Sequence, residues 1–207
     1  MSDAANEFRF KAGPGWIQTF TGRAFSLLEP QPVDVTIEDI AHALSMLCRF
    51  GGHVDEFYSV AQHSVLVSLV VARFQPDNHA LHRAALLHDA SEAYLIDLPR
   101  PIKRMPGFEA YKAREGVVEG VIAERFGIVV TNLDRIAIKA ADELLLRTEC
   151  RDLMGPLHPA WSRELHPDHG ITMPETIEPL GPKAAEALFL ASWRALGGAV
   201  GEAEAQP

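Results

Sequence analysis

From Ile37 onward, apolar residues return every three or four positions. Ile37, Ile40, Ala41, Leu44, Leu47 and Cys48 form the first such block, a spacing that puts them on one face of an α-helix. Thr36 and Asp39 resemble a capping box with Asp in place of Glu, and Gly51-Gly52 supplies a stop. Further helices are predicted from about Asp55 to Phe74, from Asp77 or Asn78 to about Tyr94, and from about Phe108 to Phe126, with Gly127 as the stop. A long helix follows from Thr131 or Asn132 to about Leu153, and a last one from about Lys183 to Leu196. Leu98 to Arg104 reads as a turn or short helix. Ahead of them all, Trp16 to Leu28 alternates apolar and polar positions about Thr21-Gly22, which predicts a short β-hairpin. The expected fold class is all-α: a bundle of six or seven helices with a small N-terminal β-hairpin. Residues 1–15 are expected to form a flexible N-terminus, 16–198 a single domain with a Pro-rich loop at 155–182, and 199–207 a disordered tail.

Composition narrows the partners. At 47% hydrophobic residues the chain can build a core. A formal net charge of −9 excludes a sequence-independent binder of nucleic acid polymers, which needs an excess of Lys and Arg. A small anion can still be held in a local basic pocket. Cys48 and Cys150 form no metal-like or disulfide pattern, which suits a reducing compartment. Met1 to Phe10 has no continuous apolar stretch, and the run Val65 to Ala72 is short and interrupted by Ser68. A soluble, cytoplasmic protein without signal peptide or membrane span is therefore expected.

Against this background four residues stand out at the centres of three predicted helices: His63, the pair His88-Asp89, and Asp142. His63 has Val60, Leu66 and Val67 three or four positions away, and Asp142 has Ile138, Leu145 and Leu146. The next residue, Glu143, sits between Lys139 and Arg147 in the pattern of a solvated ion-pair face, so Asp142 points inward. An unpaired interior carboxylate is costly, and a cation is the economical compensation. His88, Asp89 and Glu92 are close enough in helical spacing to meet one site. A lone histidine on an apolar face is ordinarily a satisfied core residue; two histidines with two carboxylates point to a metal. His79 with His82, and His166 with His169, read instead as surface pairs. His42 reads as structural, and His53 as structural or substrate-facing.

The segments Tyr58-Ser-Val-Ala-Gln-His63-Ser, His88-Asp-Ala-Ser-Glu-Ala-Tyr-Leu-Ile-Asp-Leu-Pro-Arg-Pro-Ile-Lys103 and Lys139-Ala-Ala-Asp142 resemble the HD superfamily of metal-dependent phosphohydrolases. The resemblance is closest to its 5′-deoxynucleotidase branch, including phage-type dATP-hydrolysing relatives, and covers roughly Ala41 to Arg147. It implies an HD-type helical bundle and a homodimer. It also implies one divalent metal ion (Mn, Co, Fe or Zn) ligated by His63, His88, Asp89 and Asp142. Catalysis falls to Asp89 and to Glu92, the acid/base position. Arg49 and Phe50 are placed against phosphate and base or sugar, Asp97 against the sugar hydroxyl, and Lys103 on the phosphate side. Two positions depart from the family pattern: Gln62 replaces a carboxylate, and Ile96 a glycine. The activity implied is release of phosphate from a small (deoxy)nucleotide. An alarmone pyrophosphohydrolase and a non-catalytic metal-and-nucleotide sensor are the alternatives.

Overall fold

The computed structural model describes residues 15–160 and 171–200. The expectations for residues 1–14, for 161–170 with His166 and His169, and for 201–207 lie outside the described residues. The remainder is mostly helical, with one two-stranded antiparallel sheet near the N-terminus. Strands β1 (Trp16–Gln18) and β2 (Ala24–Ser26) pair with Ile17 opposite Phe25. Eight α-helices follow among the described residues: α1 (Ile37–Met46), α2 (Val60–Phe74), α3 (His79–Leu86), α4 (Glu92–Leu95), α5 (Arg100–Lys103), α6 (Glu109–Phe126), α7 (Asn132–Leu153) and α8 (Pro182–Ala195). No helix among the described residues is long and apolar enough to cross a membrane.

Local chemistry explains most boundaries. Thr36, Ser59, Asn78 and Thr131 cap α1, α2, α3 and α7, each accepting from a backbone amide three residues on. Thr131 and Asp134 complete a reciprocal capping box, and Gly127, at φ 61°, closes α6. Asp39 does more than cap. Its carboxylate also accepts from the Thr21 amide at 2.7 Å and the Thr21 hydroxyl at 2.9 Å. The hairpin is thereby tied to α1, and Phe25 stacks on Tyr94 at 3.9 Å beneath it.

The central element is α2. It packs against α1, α3, α7 and α8 and has buried positions on every side, from Val60 and Ala61 through Val65, Val67, Val70 and Val71. A helix whose first turns are buried all round can carry a polar group there only where partners are built around it, and that is where His63 lies.

The structure corrects the sequence reading at several places, and the helix expected from about Asp55 begins only at Val60, where Ser59 caps it. The first helix ends at Met46, not at Gly51, because Cys48 pairs in a β-bridge with Ser59 and the Arg49 amide donates to Tyr58 O at 2.9 Å. Cys48 is therefore extended and half-buried. The predicted helix to Tyr94 stops at Leu86, and residues 87–91 form a turn held by three-residue hydrogen bonds such as Ala90 N to Leu87 O at 3.0 Å. His88 and Asp89 sit on that turn rather than mid-helix. Lastly, His82 is buried, with Nε2 2.7 Å from Gln75 O, whereas only His79 of that pair is exposed.

Just past α4, Ile96 takes φ 62°, ψ 155°, a conformation natural to glycine and strained for a β-branched residue. It is held there by its amide on Glu92 O and by the Tyr111 hydroxyl, which donates to Leu95 O and Ile96 O. Replacing Ile96 by Gly removes strain of about 1–3 kcal/mol against a backbone-entropy cost of about 0.5–1 kcal/mol. The expected result is a melting midpoint raised by roughly 3 °C. A midpoint that stays level or falls would show that this backbone is not strained.

Candidate metal centre and active site

Four elements converge on one cluster: α2 supplies His63, the turn after α3 supplies His88 and Asp89, α7 supplies Asp142 and Glu149, and the turn after α1 supplies Arg49. His63 and Glu149 are both fully buried, and His63 Nδ1 lies 2.6 Å from Glu149 Oε1. The same carboxylate accepts from the Tyr58 hydroxyl at 3.0 Å and from Arg49 Nη2 at 3.0 Å. An ionised carboxylate can only accept, so His63 donates from Nδ1 and presents Nε2 to the cluster. His88 is set the same way: its Nδ1 lies 2.8 Å from the Ala85 carbonyl oxygen. Both Nε2 atoms are buried and make no hydrogen bond among the described residues.

These nitrogens face carboxylates. His63 Nε2 lies 3.3 Å from Asp142 Oδ1 and 3.6 Å from Asp89 Oδ2, and His88 Nε2 lies 3.1 Å from the same Asp89 oxygen. The ligand atoms of His63, His88 and Asp142 all fall within 4.8 Å of one another. Imidazole lone pairs set against carboxylate oxygens repel, so positive charge has to lie between them, as ring protons or as a metal ion.

The electrostatics without an ion express that demand. Burial works to lower the His88 pKa, yet the neighbouring charge of Asp89 outweighs it and pushes it up to about 9. His63 is raised too, with Glu149 and Asp142 overcoming burial and the Arg49 charge. Asp89 and Asp142 are both held well below the usual carboxylate range in spite of burial, Asp89 chiefly by the charge of His88 and Asp142 by its bond to His63. Two imidazoles and two carboxylates could hold one divalent ion of the Mn, Co, Fe or Zn type, with positions left for water and substrate.

Around this cluster the other site residues fall into two groups. Glu92 opens α4, buried, with Oε1 3.3 Å from Lys103 Nζ and Oε2 unpartnered among the described residues. Burial, reinforced by the charges of Asp89 and Asp97, pushes its carboxyl up to about 9, so it carries a proton at neutral pH. Lys103 also donates to Glu115 Oε1 at 2.7 Å. Asp97 is half-buried, and burial raises its pKa while Arg49 and Lys103 pull it down. Arg49 stays charged despite burial because Glu149 and Asp89 surround it; its Nη1 is 3.7 Å from Asp89 Oδ2. The Phe50 ring centroid lies 5.5 Å from the Arg49 guanidinium carbon.

The chain is 43% identical over 138 residues to the uncharacterized protein YfdR of Escherichia coli (strain K12), spanning 67% of this chain and 72% of YfdR. It is 39% identical over 145 residues to an uncharacterized protein of Rhodobacter capsulatus, spanning 68% of this chain and 74% of that protein. The chain belongs to their family. No family model matches it.

In this member of the YfdR family, His63, His88, Asp89 and Asp142 share one cluster, and Glu92, Arg49, Asp97 and Lys103 adjoin it. Sequence reasoning missed Glu149, although it lies seven residues after Asp142 and so on the same face of α7, with Leu145 and Leu153 four positions either side. Arg100, three residues before Lys103, reads in the sequence as part of a local cluster of basic residues. In the structure it donates to Asp142 Oδ2 at 2.5 Å.

Gln62 turns away from the cluster. Its Nε2 donates to Glu178 O at 2.8 Å and its Oε1 accepts from Leu180 N at 2.8 Å. The amide supplies both the donor and the acceptor that these two contacts need, which an ionised carboxylate, an acceptor only, would not.

Proposed function

We propose that this YfdR-family protein is a metal-dependent phosphohydrolase of the HD type, releasing phosphate from a small (deoxy)nucleotide. The observation that carries the reading is the pair of buried, unpartnered Nε2 atoms of His63 and His88 turned onto Asp89 and Asp142. With it come a helical HD-type bundle and a homodimer, as the sequence resemblance implies, and a cytoplasmic setting, which the cysteine usage suits.

His63, His88, Asp89 and Asp142 hold one divalent ion, whose chemistry there is Lewis acidity toward a water molecule and the phosphoryl group. The buried Arg49 guanidinium, anchored by Glu149, presents its remaining donors to phosphate oxygens as a fixed fork. Phe50 and Asp97 flank the sugar, and Lys103 lies on the phosphate side. Water attacks phosphorus as the bond to the sugar oxygen breaks. Glu92, protonated at neutral pH, donates its proton to that departing oxygen.

The test is a phosphate-release assay across (deoxy)nucleoside mono- and triphosphates with each candidate metal. Glu92→Gln is expected to lower kcat about 10²–10⁴-fold with metal binding retained. Absence of release from every nucleotide by the metal-loaded wild type overturns the reading in favour of a non-catalytic sensor.

A further inference from the structure

Glu115 belongs to none of the segments that carry the family resemblance, yet it lies one contact away from Glu92. It sits in α6, one turn after Tyr111, and both residues reach across to the stretch that follows Glu92. The Tyr111 hydroxyl donates to Leu95 O at 3.2 Å and to Ile96 O at 3.0 Å, at the end of α4. Glu115 Oε1 accepts from Lys103 Nζ at 2.7 Å, and the same ammonium donates to Glu92 Oε1 at 3.3 Å. A third side of Lys103 is covered by the Tyr111 ring, whose centroid lies 5.8 Å from Nζ. The side chains of Lys103 and Glu115 are only 20% and 17% exposed, so water and salt screen the pair weakly.

The direction of these bonds decides how Glu92 is presented. An ammonium can only donate, so Glu92 Oε1 accepts. A proton on this carboxyl therefore resides on Oε2, the buried oxygen without a partner among the described residues. With no fixed ammonium beside it, either oxygen could carry the proton. Lys103 cannot fix itself, because its charge ends a flexible four-carbon stem. Of its two carboxylate partners Glu115 is the nearer, and Glu115 comes from a different helix. One N–H of the ammonium stays free, so Lys103 can still face a phosphate oxygen.

We propose that Glu115 is a positioning residue of the active centre: through Lys103 it makes Glu92 Oε2, rather than Oε1, the oxygen that protonates the departing sugar oxygen. The inference rests on the phosphohydrolase reading and adds to it a residue that touches neither metal nor substrate. No proton passes through Glu115.

The experiment compares Glu115→Ala with the wild type, metal-loaded and full-length, on a deoxynucleoside 5′-monophosphate and on its analogue with sulfur as the bridging atom. The analogue makes the same contacts, but its thiolate departs without needing a proton. On the nucleotide kcat is expected to fall about 10–100-fold with KM nearly unchanged, and on the sulfur analogue both are expected to stay near wild type. Glu115→Gln, which keeps an acceptor for Lys103, is expected to fall between, and melting midpoints report whether each variant folds. Independently of turnover, an amine-acylating reagent followed by mass spectrometry is expected to modify Lys103 faster in Glu115→Ala than in the wild type. Equal acylation, equal losses on both substrates, a loss confined to KM, or unchanged turnover on both overturns the role of Glu115 and leaves the phosphohydrolase reading standing. A wild type that hydrolyses no nucleotide overturns both.

Discussion

Asp142→Ala is expected to abolish tight binding of a divalent metal and to reduce phosphate release by about 10³-fold or more. The carboxylate supplies one of the ligand atoms grouped within 4.8 Å, and among the described residues its Oδ1 is the carboxylate oxygen nearest to His63 Nε2 that the cluster offers, at 3.3 Å. Without it the site keeps two imidazoles and Asp89, and Arg100 loses the oxygen it donates to. The fold is expected to survive, because Asp142 is only half-buried and its removal relieves repulsion with Asp89. Calorimetric titration with Mn and Zn, alongside a melting curve, separates these effects. Wild-type metal affinity in a folded Asp142→Ala protein would dismantle the proposed ligand set.

Glu149→Leu is expected to be the most damaging single change to stability. It leaves the buried Arg49 guanidinium without its main counter-charge and the Tyr58 hydroxyl and His63 Nδ1 without an acceptor. Breaking a buried pair from one side costs about 3–5 kcal/mol, equivalent to a fall of roughly 10 °C in melting midpoint for a chain of this size. Glu149→Gln keeps shape and some hydrogen bonding and is expected to unfold at an intermediate temperature. Since it also loosens the tautomer of His63, its metal affinity is expected to drop by about 10–100-fold. Denaturant unfolding and metal titration of both variants check the pair of expectations. A Leu variant as stable as the wild type would mean that Arg49 finds solvent or another partner.

How far each feature was legible in the sequence depends on whether its cause is local. Thr36, Thr131 and Gly127 marked helix ends correctly because capping needs only residues three or four apart. The early end of α1 was hidden, since it is imposed by Ser59 and Tyr58 pairing with Cys48 and Arg49 across the chain. The break after Leu86 was hidden for a related reason: Ala84 to Ala93 has the composition of a continuous helix, and only the structure shows the turn that brings His88 and Asp89 round. In the candidate site, His63 and Asp142 betrayed themselves as polar residues on apolar faces. Glu149 has the same surroundings and would have been found by the same rule carried two turns further along α7. Ile96 could not be diagnosed as strained, because φ is not written in side-chain chemistry.

The ring of contacts through Glu149 joins residues 86, 91 and 100 positions away in the chain. This separation matters during biosynthesis. Until the growing polypeptide has emerged through Glu149, Arg49, Tyr58 and His63 have no buried acceptor to receive them. Loop-closure entropy delays their joining further. An N-terminal fragment ending before α7 can form its caps and its hairpin, but it has to leave Arg49 in water and His63 unoriented. Assembly of the cluster is therefore deferred until the ribosome has delivered most of the molecule.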